Sequence, residues 1–251
     1  MPKRKKSDID GGTITNFYDV LPDQFKSKIK NPNKHLHGLD LPFRMLVCAP
    51  SGSGKTNFVL NLLALFSAGE GTFSEIRILT KNANEKLYDY LKSKSKDIII
   101  KEGLGGSNLP KLDDINVEDR EDQKIIIFDD LVLEKNLSSV ENYFIRARKF
   151  GYSVVFISQS YFRVPKTIRL NVSYLAILRV GSKRDLTMIL SEVGIGVTKE
   201  QLIAMYDFAT SEPMNVFLIH VEKQASQKYY KNFTGLLSPQ MFAKEVMGVL
   251  P

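Results

Sequence analysis

Met45-Leu-Val-Cys-Ala-Pro-Ser-Gly-Ser-Gly-Lys-Thr56 is an apolar run that enters a glycine-rich turn and opens at once onto the helix-like stretch 57–66. Successive backbone N–H groups at such a turn, together with the positive end of the helix that follows, make a concave anion site. Pro50, Ser51, Gly52, Ser53, Gly54, Lys55, Thr56 and Asn57 are therefore expected to cradle the phosphates of a nucleoside triphosphate, ATP. Lys55 would reach the β and γ phosphates, and the Thr56 hydroxyl would hold Mg²⁺. The first glycine of the usual G-x-x-x-x-G-K-[ST] pattern is Ala49 here. A chance glycine turn is the competing reading; the strand before it and the helix after it argue against that.

The chain has 251 residues, 43% of them apolar, enough to bury one large α/β core. Its apolar stretches are too short or too interrupted to cross a bilayer, and Met1-Pro-Lys-Arg-Lys-Lys6 lacks the apolar segment of a signal peptide. A soluble, intracellular protein with no membrane partner is expected. The single cysteine, Cys48, sits in the strand before the loop and excludes a disulfide framework within the chain. A net charge of +7 favours an anionic partner such as nucleic acid. The run from Lys3 to Lys6 reads as an address signal, a nucleic-acid arm or a solvated tail. His35, His37 and His220 show no metal-ligand spacing, so no metal is expected beyond the Mg²⁺ of the nucleotide.

Along the chain, residues 1–38 are turn-rich and read as an N-terminal arm, 39–222 as the core and 223–251 as a C-terminal extension. Strands are expected over 44–49, 75–80, 97–101, 124–128, 152–158, 174–179 and 214–221, and helices over 56–66, 84–94, 138–150, 185–192 and 199–208. That alternation predicts an α/β fold with a mainly parallel sheet and helices on both faces. Residues 103–123, rich in Gly, Asn and Asp, read as an exposed connection. Residues 223–233, with Lys228, Tyr229, Tyr230 and Lys231, read either as a DNA-contacting segment or as an ordinary solvated terminus.

Lys124-Ile-Ile-Ile-Phe-Asp-Asp-Leu131 is an apolar strand ending in two carboxylates. Beside the phosphate loop, Asp129 would support the Mg²⁺ shell and Asp130 would orient or deprotonate the attacking water. An acidic turn after a strand is common, and the pairing with an upstream phosphate loop is what raises it above coincidence. The strand over 152–158 also ends polar. Gln159 there is placed to sense the γ phosphate or the water, unless it merely caps the strand. Hydrolysis needs positive charge on the transferring phosphoryl group, and Arg146, Arg148 and Arg169 are candidates to supply it from a neighbouring subunit; pairing with surface carboxylates is the alternative.

With these residues in view, the chain resembles the genome-packaging ATPases of large DNA viruses and virophages, the poxvirus-type branch of the FtsK–HerA superfamily. Leu41-Pro-Phe-Arg-Met-Leu-Val-Cys-Ala-Pro-Ser-Gly-Ser-Gly-Lys-Thr-Asn57, Ile125-Ile-Ile-Phe-Asp-Asp130 and the block from Arg146 through Gln159 to Arg169-Leu-Asn171 carry the likeness, in the same order, over roughly residues 38–221. The resemblance implies a RecA-like P-loop NTPase with a strand added between the phosphate-loop strand and the acidic strand. It also implies a homo-oligomeric ring, double-stranded DNA and capsid proteins as partners, and work in the host cytoplasm, the viral factory or the virion. The acid after the Mg²⁺ aspartate is commonly Glu in that superfamily and is Asp130 here. The family's glutamine sensor maps onto Gln159 and its basic motif onto Arg146 and Arg148. Rival readings are a helicase or recombination factor using the same site, and a nucleotide-gated structural adaptor without appreciable turnover.

Overall fold

The computed structural model describes residues 14–26, 28–115, 122–194 and 196–243. Its elements in chain order are α1 (Lys34–His37), β1 (Arg44–Cys48), α2 (Lys55–Phe66), β2 (Glu75–Thr80), α3 (Lys86–Lys92), β3 (Ile98–Glu102), β4 (Lys124–Asp129), α4 (Ser138–Arg146), β5 (Tyr152–Ser158), α5 (Lys166–Leu170), β6 (Tyr174–Ile177), α6 (Lys183–Val193), α7 (Lys199–Ala209), β7 (Phe217–His220), β8 (Tyr229–Lys231) and β9 (Gly235–Leu237). The nine strands form one sheet in the order β3-β2-β4-β5-β1-β6-β7-β8-β9. The first five pairings across it are parallel and the last three antiparallel.

The central strands are continuous apolar runs because both faces are covered. Successive side chains alternate between faces. Met45 and Val47 of β1 therefore join the core under α2 and α3, whereas Leu46 and Cys48 join the core under α4 to α7. α2 buries Phe58, Val59, Leu62, Leu63 and Phe66, a stripe with helical period, against the first face. Each such side chain contributes about 1.5–3 kcal/mol. Cys48 is buried and unpaired, and burial pushes its thiol up, consistent with a packing role.

β5 lies between β1 and β4, with Cys48 opposite Ser158 and Asp129 opposite Ile157. The added strand that the resemblance implies is therefore present, and the carboxyl ends of the three strands finish side by side.

Elsewhere the chain departs from the sequence reading. Of the two readings of 223–233, a solvated terminus does not describe Lys228 and Tyr229, which are buried: β8 and β9 extend the sheet, and Tyr229 stacks on Phe217 at 5.9 Å. The end of the expected N-terminal arm packs on the core. Asn33 donates its amide to the Phe66 and Ala68 carbonyls at 3.0 and 2.9 Å, satisfying acceptors left free at the end of α2. His37 sits against the Phe66 ring, and burial pushes its pKa down to about 4.

The strand expected over 214–221 begins only at Phe217, because Met214 turns with φ +66°. The helix expected over 138–150 ends at Arg146 and continues as a 3-10 turn to Phe150, stopped by Gly151 at φ +77°. Part of the connection expected to be exposed is anchored: Leu112 is buried, and the Tyr143 hydroxyl donates to the Pro110 carbonyl. The basic run Lys3 to Lys6 lies outside the described residues. No helix among the described residues is long and apolar enough to cross a membrane.

Candidate active site

The phosphate loop leaves the sheet beside the tip of β5, where the Ala49 N–H donates to the Ser158 carbonyl at 3.0 Å. Ala49 is thus still in sheet register, and the turn proper needs left-handed backbone only at Gly52 (φ +76°) and Gly54 (φ +98°). Both are glycines, which adopt it without a Cβ penalty, and this explains why Ala49 is tolerated. The Ser53 N–H and hydroxyl both donate to the Pro50 carbonyl, closing the turn. The first intrahelical bond of α2 runs from the Phe58 N–H to the Gly54 carbonyl at 2.9 Å. The N–H groups before Phe58 have no acceptor a turn earlier within the helix, so they and the helix dipole form an anion-binding end.

Two strands away, Asp129 ends β4 almost fully buried. Tyr88 of α3 donates its hydroxyl to Asp129 Oδ2 at 2.5 Å, while Oδ1 is buried without a hydrogen-bond partner. Burial raises the Asp129 pKa, opposed by the Tyr88 hydroxyl and the Lys55 charge. An orphaned carboxylate oxygen next to a phosphate cradle that also carries the Thr56 hydroxyl is the hard-oxygen donor set that Mg²⁺ takes, so these residues fit the ion.

Asp130 follows with φ +57°, a left-handed conformation that Asp bears better than most residues. Its two carboxylate oxygens accept from Gln159 Nε2 at 3.1 and 3.0 Å, and Lys55 Nζ lies 4.0 Å from Oδ1. Lys55, Asp130 and Gln159 are therefore gathered at one point of the carboxyl edge, as the order β4-β5-β1 requires.

Tyr88 was not legible as a site residue, since it belongs to no motif and reads as an ordinary inward-facing helical tyrosine. The signal available was its helix following β2, whose last residue, Thr80, stands in register with Asp129. Tyr88→Phe keeps the packing and removes the bond that favours ionised Asp129. An ionised carboxylate binds a cation, and its charge is lost as pH falls through its pKa. The substitution raises that pKa, so the pH below which Mg²⁺ dependence weakens should move upward, read from Mg²⁺ titrations of turnover across pH. An unchanged profile would mean Tyr88 only packs.

The three arginines are not brought to this cluster. Arg146, at the end of α4, pairs with Asp113. Arg148 precedes β5 and lies near Arg44, the first residue of β1, whose pKa is lowered by burial and then by Arg148. Both therefore lie at the amino edge of the sheet, opposite the loop. Arg169 pairs with Glu192 and lies over the Tyr161 ring at 5.0 Å, with Tyr161 also donating to Glu192 at 2.7 Å.

A phosphate loop after β1, an acidic strand end on β4 and a glutamine just past the end of the strand between them define a P-loop NTPase of the RecA-like, added-strand type. The chain belongs to the Poxvirus A32 protein family, whose profile matches residues 33–228. No curated protein matches its sequence. The genome packaging NTPase B204 from Sulfolobus turreted icosahedral virus 2, in complex with ATP-gammaS, superposes with TM-score 0.54 at 11% identity, over 79% of this chain and 100% of B204. The same protein in complex with sulfate gives 0.56 at 11% identity, over 80% and 100%. EssC (ATPases 2 and 3) from Geobacillus thermodenitrificans gives 0.50 at 10% identity, over 79% of this chain and 40% of that one. At such identities the likeness is one of fold.

Proposed function

We propose that this protein hydrolyses ATP to drive double-stranded DNA into a preformed viral capsid, working as a homo-oligomeric ring. The observation that carries the reading is the convergence of Lys55, Asp130 and Gln159 beside a phosphate cradle, in a chain of the A32 family. Binding alone would need no carboxylate held by two contacts at the point where a water must be activated.

Gly52 to Thr56 bind the phosphates through backbone N–H groups, and Lys55 neutralises their charge. Thr56 and Asp129 would hold Mg²⁺, which neutralises charge developing on the phosphoryl oxygens. Asp130 accepts the proton of the attacking water or orients it, and Gln159 holds the carboxylate in place for that task. B204, which shares the fold, carries genome packaging in its name.

A packaging motor must pass every sequence, so it must grip phosphates and not base edges. Turnover by the assembled protein is expected to rise with added duplex of any sequence, and the stimulation to vanish at high salt. Unchanged turnover with and without duplex at low salt would favour the adaptor reading.

An arginine completing the site from a neighbouring subunit is part of the same proposal. Arg146 and Arg148 stand at the sheet edge away from their own loop, so service in trans is the role open to them. Mixing subunits that carry Lys55→Ala with subunits that carry the true finger mutation (Arg146→Ala, Arg148→Ala or Arg169→Ala) should restore part of the ATPase activity. In such a mixture some interfaces join an intact loop to an intact finger. No recovery for any of the three, despite co-assembly, would locate the finger elsewhere.

A further inference from the structure

Gln159 is exposed, so packing does not choose among its rotamers. Its amide nevertheless stands on both oxygens of Asp130, at 3.1 and 3.0 Å. The backbone on either side must therefore hold it there. On the sheet side, buried Ser158 bridges across Gln159: its hydroxyl donates to the Ser160 carbonyl at 2.9 Å and accepts from the Ser160 N–H at 3.1 Å.

On the other side the chain enters a 3-10 turn over Tyr161–Arg163. One carboxylate ties that turn to two helices. Tyr161, 5% exposed, donates its hydroxyl to Glu192 Oε2, near the end of α6, at 2.7 Å. Arg169 of α5 pairs with Glu192 Oε1, lies over the Tyr161 ring and donates its Nε–H to the Val164 carbonyl at 3.2 Å. The Val164 N–H donates back to the Tyr161 carbonyl at 3.2 Å, so both ends of the turn are held.

We infer that Tyr161, Arg169 and Glu192 are positioning residues for hydrolysis: the clamp they form fixes the chain two residues beyond Gln159 and so keeps its amide on Asp130. The clamp sets the rate at which water attacks and leaves nucleotide affinity alone. The inference rests on reading Asp130 and Gln159 as the water-activating pair. It adds a task for Arg169 within its own subunit.

Tyr161→Phe keeps the ring under the guanidinium and removes only the hydroxyl. Glu192→Ala, at a side chain 39% exposed, releases both partners at once without opening the core. Each variant is followed by a melting curve, an ATP titration and single-turnover hydrolysis at saturating ATP with Mg²⁺. Hydrolysis should slow about tenfold for Tyr161→Phe and further for Glu192→Ala, with ATP affinity unchanged. Gln159→Ala should itself slow hydrolysis, and in its background neither substitution should slow it more, because the clamp acts through the amide already removed. Parent-like rates in both single variants would overturn the inference. So would slowing that persists in full in the Gln159→Ala background, or losses shared equally by affinity and rate. Gln159→Ala that hydrolyses at the parent rate would instead remove the reading of Asp130 and Gln159 beneath it. In the mixing experiment, Arg169→Ala with Lys55→Ala should recover no activity; recovery would place Arg169 in a neighbour's site and overturn its part in the clamp.

Discussion

Lys55→Ala should bind ATP at least about a hundredfold more weakly and show no measurable turnover, while its melting temperature stays close to that of the parent. The side chain supplies a positive charge at the cradle, and its ion-pair contact with Asp130 is 4.0 Å long. Little stability depends on a contact that long, whereas the β and γ phosphates lose their main cationic partner. Nucleotide titration and a melting curve on the same sample separate the two effects. Parent-like turnover by the folded variant would sink the site assignment.

Asp130→Asn should leave ATP affinity within a few-fold of the parent and slow hydrolysis by about 10²–10⁴. Asparagine tolerates left-handed backbone as well as aspartate does, so φ +57° adds no new strain. What is lost is the negative charge, together with one of the two oxygens that accept from Gln159. Single-turnover hydrolysis at saturating ATP is the relevant measurement. A variant that loses affinity but keeps the parent rate at saturation would reverse the roles given to Asp129 and Asp130.

The parts legible in the sequence are those whose determinants are local. The phosphate loop requires only that a strand, two glycines and a helix start be contiguous, and all three stand in residues 44–66. Asp129 and Asp130 were legible because an apolar strand ending in acids is a local pattern too. The place of β5 between β1 and β4 was reached by resemblance, since nothing in the order of strands along the chain fixes their order across a sheet.

Partnerships across long separations were not legible. Tyr88 meets Asp129 across 41 residues, and Arg146 meets Asp113 across 33. No periodicity marks either pair. Short elements escaped for another reason: β8 and β9 have three residues each and α1 has four, too few to show a repeat. Their stability comes from tertiary pairing, such as Tyr229 on Phe217, and not from any propensity of their own.

The placement of the phosphate loop at one end of the sheet and of Arg146 and Arg148 at the other gives the subunit a direction. If an arginine from the amino edge completes the site at a neighbour's carboxyl edge, the contact is heterologous: each subunit gives at one end and receives at the other. An open string of such subunits always leaves one receiving end unfilled. Closing the string into a ring supplies that last partner, so closure would itself create a working site, and catalytic capacity would belong to the interfaces between subunits.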